Sequence, residues 1–307
     1  MHAYDHGTTG RRVALMCLAL ALTEGLSHQA CLAEVMQLPA VADTFITSRN
    51  PANNAGAHVH AAAGRDNTGN RRRGLYLFDV GQLPTGVTVT SAVLRLEVVI
   101  VPRLPVVDSD FSVHRVTTAW GEGSMSGNNG QAASIGEATW LSRAHGIADW
   151  AAAGADGDCI ATPSAVAFVE SCGAYEWSGP TLVADVQEWL DTGINHGLLL
   201  RSQAEDQNKS ARAFATREAA DSGHRPVLEI GYTLPVAQDR EIIGLGIDAN
   251  RMLSLAWTGG TGTLVDIDVS SGLANAGSWQ RAAANLSSES STTNLWTEPP
   301  VWADPAY

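Results

Sequence analysis

His58-Val59-His60 places two imidazoles two residues apart. On an extended strand such side chains share a face, a workable start for a transition-metal site. Spacing identifies no third ligand, and a pair of exposed strand histidines is the alternative. A second polar group is Asp43, Asn50, Asn53 and Asn54. Carboxylate and amide oxygens are hard donors suited to Ca2+, so these four are candidate ligands of a structural calcium ion, with Asx turns as the competing use. The third group is cationic. Arg71-Arg72-Arg73 precedes a strand-like stretch, and Arg95, Arg115, Arg201 and Arg212 fall on others. Guanidinium forks match carboxylates, so arginines lining one open sheet face would form a groove for an acidic sugar polymer such as a uronate. Cross-strand pairing with neighbours such as Glu97 and Asp79 would consume the same charges. Trp140, Trp150 and Trp177 add ring faces that stack on sugars when exposed and fill the core when buried. The candidate carbohydrate-binding residues are therefore Arg71, Arg73, Arg95, Arg115, Arg201, Arg212, Trp140 and Trp150.

Catalytic signatures are missing. The sequence contains no GxSxG, no HExxH, no Walker loop and no GxGxxG after a strand. Asp108, Asp110, Glu122, Glu137, Asp156 and Asp158 are available carboxylates, but nothing in their spacing pairs two across a cleft as a glycosidase requires. Tyr76, Tyr175, His114 and His196 are nominal bases for a lyase. The reading leans away from an enzyme, with a polysaccharide hydrolase or lyase as a remaining option.

The elements that must position these groups are strands. In Arg73 to Val101, Tyr76, Phe78 and Val80 alternate with Leu75, Leu77 and Asp79. Leu94, Leu96, Val98 and Ile100 alternate with Val93, Arg95, Glu97 and Val99. A period of two with an apolar face marks a strand over a core. Leu83-Pro84-Thr85-Gly86 supplies the turn between them. Further strands are expected at Asp43 to Thr47, Phe111 to Thr117, Gly197 to Ser202, Ala211 to Thr216 and Val227 to Tyr232. Gly121 to Gly136 reads as a long polar loop. One helix is expected, Thr181 to Leu190, where Leu182, Val186, Trp189 and Leu190 form an apolar stripe that ends at Asp191-Thr192-Gly193.

An ordered series of blocks carries a resemblance: ADTFITSRNP (42–51), RGLYLFDVGQLPTGVTVTSAVLRLEV (73–98), VHRVTTAWGEG (113–123), VADVQEWL (183–190), GLLLRS (197–202), FATRE (214–218) and HRPVLEIGYT (224–233). Over roughly residues 40 to 233 the chain resembles DNRLRE-domain proteins, which are related to the alginate-binding carbohydrate-binding module family 96. The resemblance implies a secreted β jelly roll that accompanies polysaccharide-handling proteins without catalysis. The expected fold class is therefore all-β: a jelly-roll β-sandwich over 40–233, then a smaller β-sandwich over 236–307. SLAWTGGTGTLVDIDVSS (254–271) loosely resembles the middle of a fibronectin type III or immunoglobulin-like domain. A full domain of that kind takes roughly 100 residues, so the segment is expected to be incomplete or completed by a protein partner.

Composition bounds the rest. With 307 residues there is room for two domains, and a formal net charge of −13 argues against nucleic acid and anionic membranes as partners. Arg11-Arg12 before VALMCLALAL (13–22) reads as a signal peptide within residues 1–33, cleaved between 27 and 33. It is too short to span a membrane. Cys159 and Cys172 then remain as an even pair, read as a disulfide of an exported protein. The expectation is a secreted or cell-surface protein that binds an extracellular polysaccharide. A structural or adhesion module of an extracellular matrix is the alternative.

Overall fold

A computed structural model describes residues 33–234 and, beyond them, 241–247, 253–258, 264–269, 280–287 and 294–298. The expected signal peptide lies outside the described residues, as does Pro235 at the expected domain boundary. In chain order the first unit holds β1 (Ala33–Thr47), β2 (Asn53–Asn54), β3 (His60–Arg65), β4 (Arg71–Phe78), β5 (Thr88–Ile100) and β6 (Ser109–Arg115). A loop-rich insertion follows, with β7 (Gln131–Ala132), β8 (Ser142–Ala144) and β9 (Ala148–Asp149). Then come β10 (Ala165–Val169), β11 (Gly173–Ser178), helix α1 (Pro180–Thr192), β12 (Leu198–Ser202), β13 (Arg212–Ala215) and β14 (Val227–Thr233). Among the described residues the fold is mostly β, with α1 and the short 3-10 turns Val80–Gln82 and Ser222–His224 as its helical parts.

Two layers result, and β1 belongs to both. Its first half pairs with β14 and its second half with β4, with an irregularity between Ala40 and Ala42 where it changes layer. One layer is built around β5, flanked by β14, β11 and β13. The other runs β1-β4-β12-β6-β10, all antiparallel. The alternation decides what lies between them. Tyr76, Phe78, Leu94, Leu96, Val98, Phe111, Val113, Leu198, Leu200 and Phe214 are buried in one core. Trp177 sits at its centre, edge-on to Phe214 at 6.0 Å, and its indole N–H donates to the Phe111 carbonyl at 2.7 Å. That bond removes the cost of burying a polar ring atom.

The helix forms where its stripe predicts. Pro180 stands in its first turn, where no N–H partner is needed, and Gly193 ends it in a left-handed conformation with its N–H on the Trp189 carbonyl. Leu182, Val186 and Trp189 are buried against the main core.

A smaller apolar cluster lies on the outer side of the second layer. Ile46, Leu75 and Leu199 point outward from β1, β4 and β12, and the insertion covers them with Ala138, Trp140, Trp150 and Ala155. Gly154 permits this approach: its φ is +85°, and a β-carbon there would stand 2.7 Å from the Trp140 ring.

The expected disulfide is corrected. Cys159 and Cys172 are both free thiols. Cys159 bridges to Val116 just past one end of β6, whereas Cys172 follows Val169, which pairs with Ser109 at the other end. The length of β6 separates them by roughly 20 Å at about 3.3 Å per residue, beyond the roughly 4–7 Å between Cα atoms that a disulfide requires.

In the second unit, β15 (Glu241–Ile247), β16 (Leu253–Thr258) and β19 (Asn294–Glu298) form an antiparallel sheet. β17 (Leu264–Val269) pairs with β18 (Gln280–Ser287). The connections between these strands, and any further strand of the expected immunoglobulin- or fibronectin-like sandwich, lie outside the described residues.

Candidate functional site

The outer face of the second layer has two halves. Toward β1 and β4 the insertion covers it. Toward β10 it is open at Val166 and Phe168, and the alternation that buries Leu198, Leu200, Phe111 and Val113 turns Arg201, Ser112 and His114 to the same side, where Ser112 and His114 are themselves covered. Registers place these side chains in rows: Arg201 opposite Ser112 opposite Val166, with Asp110 opposite Phe168 in the next row. Gln203 adjoins that row, its N–H on the Asp110 carbonyl at 2.8 Å. Phe168 is 55% exposed, an aromatic ring carried on a rigid strand.

Arg201 is the unspent cation of this face. Its only ion pair among the described residues is with Asp156 at 3.6 Å, its guanidinium makes no hydrogen bond among them, and its side chain is 26% exposed. Beneath it, His114 and Ser112 are buried. The Ile160 carbonyl accepts from His114 Nδ1 at 2.9 Å, which leaves Nε2 to accept the Ser112 hydroxyl at 2.9 Å. Burial, then the Arg201 and Arg73 charges, hold the His114 pKa below its ordinary value, so this floor is neutral. The Gln203 amide also donates to Ser112 Oγ. The arrangement offers a ring face, guanidinium donors, an amide and the Asp110 and Asp156 carboxylates around an open strip of sheet.

Most of the sequence-predicted binding residues serve the scaffold instead, which corrects those expectations. Arg73 is buried: it donates to Glu205 at 2.9 and 2.8 Å, to Asp156 at 2.7 Å and to the Gly154 carbonyl at 2.6 Å. Arg212 is buried against Asp108 at 2.6 Å and the Glu170 carbonyl at 2.9 Å. Arg115 ties β6 to α1 through Asp185 at 2.9 Å and Glu188 at 2.8 Å. Arg95 lies on the outer face of the other layer, pinned between Glu176 and Glu229. Trp140 and Trp150 are buried, the latter donating to the Thr139 carbonyl at 2.8 Å. Arg71 is exposed at the start of β4 and stands apart from the open face. Of the eight, Arg201 alone reaches that face.

Of the four expected calcium ligands, the side chains of Asn53 and Asn54 are turned to other partners. The Asn54 amide donates to the Glu122 and Ala138 carbonyls at 2.7 and 2.9 Å, while its oxygen accepts from Gly56 and Met125. The Asn53 amide donates to the Asn129 carbonyl at 3.1 Å, and the Asn50 carbonyl accepts from the Asn53 N–H at 2.9 Å. Asp43 is buried beside Glu122 and Glu218 and accepts from the Arg217 N–H at 2.8 Å. Among the described residues, no group of three His, Cys, Asp or Glu side chains is arranged to hold a metal.

Phe168, Ser112 and Gln203 were not singled out by the sequence. The only available signal was the alternation Ala165-Val166-Ala167-Phe168-Val169, masked by its place beside a long insertion.

Part of this scaffold is similar to a known family. Residues 34–150 match the family model of carbohydrate-binding module family 96. The match supports carbohydrate binding as the coarse function and agrees with the resemblance drawn from the sequence blocks. It takes in β1 to β9, including Asp110, Ser112 and His114, and ends before Phe168 and Arg201. No curated protein matches the chain.

Proposed function

We propose that this chain is an exported carbohydrate-binding protein that holds a polysaccharide without cleaving it. The observation that carries the placement is that the Arg201 guanidinium, which makes no hydrogen bond among the described residues, and the exposed ring of Phe168 lie on one face of the second layer, two strands and one row apart. A ring face takes the apolar side of a sugar, and guanidinium donors take hydroxyls or a carboxylate. That guanidinium also favours a uronate polymer over a neutral one. Adsorption without bond breaking is the mechanism of this proposal. Export is argued from the signal-like N-terminus. Among the described residues, no helix is long and apolar enough to cross a membrane. Depletion of the protein from solution by insoluble polysaccharides, with Arg201 and Phe168 substituted in turn, tests the proposal.

A structural or adhesion role is the second reading. It is favoured by β10, which ends its sheet and exposes Val166 and Phe168. An unpaired edge with exposed apolar side chains is a template for another chain. Concentration-dependent self-association lost in Phe168→Ala, with no polysaccharide retained, is the outcome that reading requires.

A further inference from the structure

His60 opens β3 and His58 lies in the turn just before it, yet their rings meet. Their Nε2 atoms are 3.2 Å apart, and Asn128 Oδ1, from the Gly-rich loop, lies 3.2 Å from His58 Nε2. Asn128 is also close enough to His60 to influence its ring. Three donor atoms from two distant segments therefore converge. Two ligands of a tetrahedral zinc ion, each about 2.0–2.1 Å from the metal, stand roughly 3.3 Å apart, close to the spacing seen.

We propose that His58 Nε2, His60 Nε2 and Asn128 Oδ1 form a site for a divalent transition-metal ion of the Zn2+ class, with water in the remaining position.

The surroundings hold these donors in place. The His58 ring is fixed from its far side, where Nδ1 lies 3.1 Å from both Ser126 Oγ and the Gly127 N–H, and its edge packs on Phe45 with centroids 6.2 Å apart. Donation from Nδ1 to an acceptor such as Ser126 Oγ orients a ligating histidine. Asn128 is held by Arg72, whose guanidinium donates to its carbonyl at 2.5 Å and to Asn129 Oδ1 at 2.7 Å. Asp66, 3.4 Å from Arg72, offsets that charge. Both histidines are half-buried, so solvent reaches the site from one side. Imidazole pairs favour zinc, copper and nickel over calcium.

Proton placement follows. Without metal, the Gly127 N–H on Nδ1 puts the neutral His58 proton on Nε2, shared toward His60 and Asn128. Metal at Nε2 requires that proton to move to Nδ1, where Ser126 Oγ accepts it and the Gly127 N–H gives up its bond to the ring.

Titration of the tag-free full-length protein with ZnCl2, followed by calorimetry, tests the site. One equivalent should bind, and His58→Ala and His60→Ala should each weaken it at least tenfold while circular dichroism shows an unchanged fold. Asn128→Asp, which exchanges an amide oxygen for a carboxylate, should tighten binding severalfold. No binding by the parent protein, or equal affinity in the histidine variants, overturns the proposal. An Asn128→Asp protein with parental affinity removes Asn128 as a ligand and overturns the three-donor site.

Discussion

The guanidinium of Arg73 lies over the indole of Trp140, its Cζ 5.4 Å from the ring centroid. Two residues that the sequence offers as glycan contacts thus satisfy each other in the interior. Their pairing fastens the insertion to β4, because Arg73 also holds Asp156 and the Gly154 carbonyl. The 4% exposure of the Arg73 side chain decides the question: a polysaccharide does not reach it.

Arg73→Ala should therefore act on stability. It strands the partly buried Glu205 carboxylate and removes the anchor of the insertion, a loss of about 3–5 kcal/mol for a broken buried pair. Urea unfolding should show a lower midpoint. The folded fraction should keep its polysaccharide affinity.

Asp43 makes stability depend on pH. Its Oδ1 is buried with no hydrogen-bond partner among the described residues, beside the Glu218 carboxyl. Burial, then the nearby Glu218 and Glu122 charges, push the Asp43 pKa up to about 8. The folded state thus holds a proton that the unfolded state releases near pH 4. The stabilisation is complete below that pH and declines as pH rises toward 8. On the order of 3 kcal/mol should separate pH 5 from pH 8. Asp43→Asn, whose amide stays neutral, should flatten this slope and raise the melting temperature at pH 8.

Free thiols replace the expected bridge. Cys172 is exposed and should react with a thiol reagent in the native protein. Cys159 is half-buried, and burial raises its pKa, so it should react slowly until the chain unfolds. Reducing agent should leave the melting temperature unchanged.

Period-two alternation revealed β4, β5, β12 and β14, and helical spacing revealed α1, because their inward positions are almost uniformly apolar. Pairing partners were not readable in the same way. Arg95 meets Glu176 and Glu229, 81 and 134 residues away, and only the folded register decides whether such an arginine is spent. Burial of Trp140 and Trp150 likewise depends on how the insertion folds back over Ile46, Leu75 and Leu199. The third donor beside His58 and His60 comes from residue 128, across a loop with no period of its own. His58 lies outside β3, which begins at His60, so the convergence of the two rings is a tertiary fact rather than a strand period.

The most direct test of the central claim is depletion of the full-length protein by insoluble polyuronate and neutral polysaccharides, comparing the parent with Arg201→Ala, Phe168→Ala and Arg71→Ala. Retention on at least one polymer, weakened at least tenfold in the first two variants and unchanged in the third, is the predicted result. Retention that survives both Arg201→Ala and Phe168→Ala, or no retention by the folded parent on any polymer, would contradict the account.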